Sequence, residues 1–265
     1  MTSHDIQTVL VTGASSGIGE ALARCFAADG SRLVLVARSA DKLQALAAEL
    51  KAGFGSKVWV MPADLAEPGA ALALAAELRR KRIAIDVLVN NAGVLEHGAF
   101  TGIAPERHQA LIDLNVSGLT AMLAHFLPPM CKRGHGRVLN VASIAAFQPV
   151  PTLATYAATK AYVLSLTESL AEELAGSGVT IGALCPGITA TGMLTGAAKA
   201  SPRLAKLPGF LIGDVDAVAA EGYRACMKGE VIKVPGVVNR AATVAGRATP
   251  KWLLRRIAGT VTKGL

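Results

Sequence analysis

Cysteine is scarce in this chain. Cys25, Cys131, Cys185 and Cys226 are the only four in 265 residues, and they form no C-x-x-C pair or zinc-like spacing. That excludes a disulfide framework and implies free thiols in a reducing compartment. Charged residues reach only 17% and aromatics 4%, whereas 52% of residues are hydrophobic, too many for a disordered chain. The opening Met1-Thr2-Ser3-His4-Asp5 lacks the charged-then-apolar pattern of a secretory signal, so a cytoplasmic protein is expected. Uncharged runs such as Val138 to Thr159 are interrupted by Asn140, Gln148, Pro149 and Pro151, and read as buried core rather than membrane spans. His97, His108, His125 and His135 have no ligand partners nearby in sequence, so no metal site is expected. Acid is what the C-terminal segment lacks. From Lys228 onward eight basic residues face one acid, Glu230, a local +7 within a net charge of +8. The first 227 residues carry 19 basic and 18 acidic residues, which argues against a uniformly basic nucleic-acid binder.

What is present is alternation. Short β-branched runs (Thr8–Thr12, Arg32–Ala37, Lys57–Met61, Asp86–Val89, Arg137–Val141, Val179–Leu184) alternate with long Ala/Leu/Glu-rich segments. The helices are expected near 17–29, 40–52, 67–82, 105–132 and 152–175, with another from Asp214 and a last strand at Val231–Val234. Strands such as Leu33-Val34-Leu35-Val36 are apolar on both faces, as a buried parallel sheet requires. The pattern predicts a single-domain α/β fold, a three-layer doubly wound parallel sheet.

The first strand runs into Thr12-Gly13-Ala14-Ser15-Ser16-Gly17-Ile18-Gly19. Gly13 permits a tight turn, Gly17 lets backbone N–H groups approach a pyrophosphate, and Gly19 lets the helix lie close to the sheet. Ser15 and Ser16 add hydroxyl donors for phosphate. Residues 13–17 also spell G-x-S-x-G, the nucleophile elbow of α/β-hydrolases. That elbow belongs after a later strand and needs a late histidine, whereas the last one here is His135. A purely structural glycine turn is the other alternative.

Six motifs in order carry a resemblance: Thr12-Gly13-x3-Gly17-x-Gly19, Asn90-Asn91-Ala92-Gly93, a helical Asn115, Ser143, Tyr156-x3-Lys160 and Pro186-Gly187. From residue 8 to about 235 the chain resembles the classical type of the short-chain dehydrogenase/reductase family. The resemblance implies a Rossmann-fold catalytic domain over residues 1–235, a nicotinamide cofactor, a substrate lid over about 189–213, and a homodimer or homotetramer. It also implies that Ile18, Asp64-Leu65, Asn91-Ala92-Gly93, Lys160, Pro186-Gly187-Ile188 and Thr191 contact that cofactor. Tyr156 would exchange a proton with the substrate oxygen and Ser143 would hydrogen-bond it. Lys160 would hold the nicotinamide ribose, and Asn115 would position a water beside it.

Two features have a physical reading of their own. The second strand ends Val36-Ala37-Arg38, without the acid that bonds the ribose 2′-OH of NAD. Arg38 suits the 2′-phosphate of NADP(H), which is preferred over NAD(H), unless it is only a solvated loop residue. Tyr156 and Lys160, four residues apart on a helix, share one face. A neighbouring ammonium lowers a phenol's pKa towards working pH, which suits acid–base catalysis.

The pocket is expected to be apolar, with Leu95, Ile144, Ala145, Phe147, Val150, Leu153, Met193 and Leu194 around the substrate. A hydrophobic ketone, aldehyde or acyl thioester fits such walls. The extension 236–265, expected to be helical, alternates Lys251, Arg255 and Arg256 with Trp252, Leu253, Leu254 and Ile257. It reads as a membrane-surface helix, as a contact for an acidic partner, or as a helix packed on a subunit. A non-catalytic cofactor-binding scaffold on the same fold is the rival to an enzyme.

Overall fold

The computed structural model describes residues 6–190, 212–249 and 256. The β-branched runs form β1 (Thr8–Thr12), β2 (Arg32–Ala37), β3 (Val58–Pro62), β4 (Val87–Asn90), β5 (Gly136–Val141), β6 (Val179–Leu184) and β7 (Ile232–Lys233). Their order is β3-β2-β1-β4-β5-β6-β7, and every pairing is parallel. Alternate residues of one strand feed opposite layers. Val9, Val11, Leu33 and Leu35 pack under α1 (Gly17–Ala28), α2 (Ala40–Phe54) and α7 (Val215–Lys228). Leu10, Val34 and Val36 pack under α3 (Ala70–Arg80), α5 (Leu119–Arg133) and α6 (Ala154–Glu173). That is the three-layer sandwich the doubly apolar strands imply.

Helix boundaries depart from the expectation where the backbone turns left-handed. The helix expected from Glu67 begins at Ala70, because Gly69 holds φ +83°. The one expected from Thr152 begins at Ala154, because Thr152 itself holds φ +67°. The last strand contracts to two residues. A further helix, α8 (Val237–Ala248), follows.

The long apolar segment is one helix in three parts: α4 (Pro105–Ile112), a π-helical stretch Asp113–Gly118, and α5. By length and composition Pro105–Arg133 is apolar enough to cross a membrane. Here Leu119, Met122, Phe126 and Met130 bury its inner face against the sheet. The π stretch is where Asn115 sits, and single π turns of this kind are frequent at functional sites.

A polar chain crosses the core. Asn90 faces Asn140 in the β4–β5 register, and their side chains bond at 3.0 Å. Asn140 Nδ2 donates to Thr167 Oγ1 on α6 at 2.9 Å, and Thr167 donates to the Val163 carbonyl at 2.6 Å.

Candidate active site

Strand order reverses between β1 and β4, and ligands of open α/β sheets bind beyond the carboxyl ends of the strands at such a switch point. A cavity of about 500 Å³ lies there. Gly13, Ser15, Ser16, Gly17 and Ile18 form one wall; Gly13 and Gly17 take φ +64° and +58°. A Cβ on Gly13 would lie 2.9 Å from Ala92 Cα. Thr12 Oγ1 accepts from the N–H groups of Asn91 (2.9 Å) and Ala92 (3.0 Å), and Asn91 Nδ2 donates to the Thr12 carbonyl at 3.0 Å. The Asn-Asn-Ala-Gly segment is thereby strapped to the glycine turn. Ser16 caps α1 without a side-chain bond, so the first N–H groups of the helix are not capped by it. Uncapped amides, no Cβ at the turn and a positive helix end fit a pyrophosphate.

Gly19 lies behind this wall and does not line the cavity. A Cβ there would meet the Gly13 carbonyl oxygen at 2.4 Å and Asn91 Nδ2 at 2.3 Å. Gly19→Ala is therefore expected to cost about 1–3 kcal/mol and to weaken dinucleotide binding with it. Thermal unfolding and cofactor titration check this against Gly53→Ala, a position with open space around it.

At the adenosine end, Arg38, Ser39, Asp64 and Leu65 line the cavity. The Arg38 side chain is 71% exposed, with Nη1 3.7 Å from Asp64 Oδ2. Ser39 caps α2 without a side-chain bond. These groups fit a phosphate on the ribose and complete a cradle for a nicotinamide dinucleotide.

The far end carries the reactive groups. Ser143 follows β5 and caps a 3-10 turn, its Oγ accepting from the Ala145 N–H at 3.1 Å. Tyr156 and Lys160 project from α6 and are buried. Burial raises the phenol pKa of Tyr156, opposed by its hydrogen bond with Ser143. Burial also lowers the Lys160 ammonium to about 8, opposed by Cys185. Lys160 Nζ donates to the Val141 carbonyl at 2.8 Å and stands 5.8 Å from the centre of the Tyr156 ring. The spacing argument has the ammonium lowering the phenol; in this chain alone, desolvation moves the phenol the other way.

Asn115 does not line the cavity. Its Oδ1 accepts from the Val94 N–H and its Nδ2 donates to the Val94 carbonyl, both at 2.9 Å, with a further bond to Thr159 Oγ1 at 3.2 Å. Asn115 Oδ1 and Lys160 Nζ flank the same spot, 3.2 and 3.4 Å from where a Cβ of Gly93 would be.

Asn91, Ala92, Gly93, Leu95, Ile144, Ala145, Val150, Leu153, Pro186, Gly187 and Ile188 all line the cavity as expected. Phe147 does not: the 3-10 turn Ile144–Phe147 carries its ring onto the core, and Gln148 lines the cavity instead. Thr191, Met193, Leu194 and most of the expected lid lie outside the described residues, as does half of the basic extension. Tyr162, two residues past Lys160, is 39% exposed and bonds Thr120 Oγ1 at 2.9 Å. Sequence reasoning missed His97, Ser39 and Thr189 as lining residues. For His97 a signal existed: it follows Asn90-Asn91-Ala92-Gly93 on the loop leaving β4, where α/β sites recruit side chains.

Residues 7–201 match the model of the short chain dehydrogenase family. The chain is 38% identical over 196 residues to oxidoreductase UcpA of Salmonella typhimurium, covering 74% of each chain. It is 38% identical over 220 residues to a 3-oxoacyl-[acyl-carrier-protein] reductase of Synechocystis, covering 83% of this chain and 88% of that one. A short-chain dehydrogenase from Sphingobium yanoikuyae, solved in complex with NADPH, superposes with a TM-score of 0.80 at 34% identity, covering 91% of this chain and 93% of that one. With its Rossmann-type sheet and its ordered motifs, the chain belongs to the short-chain dehydrogenase family of oxidoreductases.

Proposed function

We propose that this chain is an NADP(H)-dependent carbonyl reductase or alcohol dehydrogenase acting on an apolar ketone, aldehyde or acyl compound. The observation that carries the reading is one continuous cavity, with the glycine turn and Arg38 at one end and Ser143, Tyr156 and Lys160 at the other. The acid-free end of β2 and the NADPH-bound relative support NADP(H) over NAD(H). Arg38 and Ser39 take the 2′-phosphate. The α1 N-terminus takes the pyrophosphate, and Asn91, Gly93, Lys160 and Ile188 with its neighbours hold the rest.

When bound, the cofactor supplies a hydride to the carbonyl carbon or accepts one from the alcohol. The chain's own groups manage the proton. With its pKa raised, Tyr156 stays protonated at neutral pH, the form that donates to a carbonyl oxygen. Ser143 bonds the same oxygen and aligns it. As the phenol gives up its proton, the Lys160 ammonium offsets the charge that develops. Asn115 acts at one remove, fixing the backbone at Val94 and hence the wall beside Lys160.

Turnover follows Lys160. The ammonium is present below about pH 8 and is lost above it. The kcat/KM for reduction is expected to be flat on the acid side of 8 and to fall on the alkaline side. The test is NADPH consumption with apolar ketones and aldehydes across pH 6–10, with NADH as comparison. No turnover with either cofactor overturns the reading.

The catalytic domain is assigned to 1–235, with 236–265 as a basic extension. Exposed Val237, Val238 and Val244 beside Arg240 on α8 support a contact of that extension with an anionic surface. Exposed Ile112 and Tyr162 on the α4–α6 side support a homo-oligomer.

A further inference from the structure

Apart from Ser143, Tyr156 and Lys160, the described residues at the substrate end of the cavity are mostly apolar. Leu95, Ile144, Val150 and Leu153 make its walls, and His97 and Gln148 break them. His97 Nε2 lies 3.2 Å from Thr152 Oγ1 on the loop that precedes α6. The same two loops meet again where the Gly98 N–H donates to the Thr152 carbonyl at 2.9 Å. Thr152 is a β-branched residue at φ +67°, a conformation that persists only where surroundings over-determine it. The two bonds from residues 97 and 98 do so. On its outer side the His97 loop is held by an ion pair between Glu96 and Arg107 of α4.

The imidazole is therefore anchored through one nitrogen by a strained and doubly bonded clasp. Its other nitrogen, Nδ1, has no hydrogen-bond partner among the described residues. The Thr152 hydroxyl either donates or accepts, so Nδ1 takes the complementary role according to tautomer. A hydroxyl group satisfies both tautomers; an ether or a methyl group does not. The clasp also holds the ring in place, so little ordering cost falls on substrate binding.

We propose that His97 reads a second oxygen on the substrate. The preferred substrates are then hydroxyketones: an apolar skeleton with the reacting carbonyl at one position and a hydroxyl at another. This rests on reading the cavity as a carbonyl-reducing site. A skeleton lacking the hydroxyl covers Nδ1 without pairing it, and sites built to bond a polar group discriminate against analogues that lack it.

The test uses 2-decalone and its monohydroxy derivatives with the NADPH-loaded enzyme. The best hydroxydecalone is expected to exceed 2-decalone in kcat/KM by about tenfold to hundredfold. His97→Leu brings that ratio close to one, and His97→Gln, which keeps a donor and an acceptor, retains most of it. NADPH affinity, measured on each variant, reports whether the fold and the cradle survive. A wild-type ratio near one, or a ratio unchanged in His97→Leu, overturns the proposal. Binding of the same ligands to the NADP+-loaded protein is titrated in parallel. A His97-dependent preference in binding without any turnover leaves the hydroxyl contact of His97 standing and overturns the reductase reading. Turnover without a preference does the reverse.

Discussion

Tyr156→Phe is expected to lower kcat for carbonyl reduction by about two to four orders of magnitude, the usual worth of a positioned general acid. NADPH binding survives the change. The substitution removes one oxygen and keeps the ring, which packs with Leu111, Ala145 and Ala157 and with the partly buried Val94, Leu95 and Leu153. The phenol is buried and its pKa raised, so it is a proton donor at neutral pH that no solvent-facing group replaces. Ser143 keeps its bond from the Ala145 N–H and stays oriented. Single-turnover NADPH oxidation, read beside a cofactor titration, measures the two effects separately. Retention of rate within tenfold of wild type would remove Tyr156 as the acid. Loss of cofactor affinity along with rate would instead indicate collapse of the wall.

Arg38→Asp is expected to weaken NADPH binding by about tenfold to several hundredfold. A hydrogen bond to a charged group is worth roughly 1.5–3 kcal/mol, and each ~1.4 kcal/mol is tenfold in affinity. The new carboxylate would also stand near Asp64, adding repulsion against a phosphate. NADH affinity holds or improves, because an acid at the end of the second strand accepts from the ribose 2′-OH. The fold is indifferent to the change: the side chain is 71% exposed and its pairing with Asp64 is long, at 3.7 Å. Fluorescence titration with both cofactors, with unfolding temperature as control, decides the matter. Equal NADPH affinity before and after would show Arg38 to be a solvated loop residue.

The sheet was legible because its strands are apolar on both faces and each is followed by a helical segment, a pattern few architectures share. The glycine turn was legible too, since Gly13 and Gly19 stand where a Cβ would strike backbone or the Asn91 amide. Features set by backbone geometry were not. Neither the left-handed Thr152 nor the π stretch at Asp113–Gly118 leaves a mark in composition, and each moves a side chain by a fraction of a turn. The 3-10 turn after Ser143 is a further case: it sends Phe147 to the core and Gln148 to the cavity, a choice between neighbours that the expectation of an apolar pocket makes the other way. The direction of the Tyr156 shift was missed because spacing reports a charge and says nothing of depth.

The Asn90–Asn140–Thr167 chain bears on how tolerant this design is to change. Greasy layers slip past one another with little penalty, and a helix that advances by one turn travels about 5.4 Å. Such a slip of α6 would part Thr167 from Asn140 and leave a buried amide unsatisfied. The amide chain is a detent: it gives the helix bearing Tyr156 and Lys160 one seat along the sheet. Methyl groups in the surrounding layers are then free to drift over generations, altering melting temperature while the spacing between proton donor and phosphate cradle stays put.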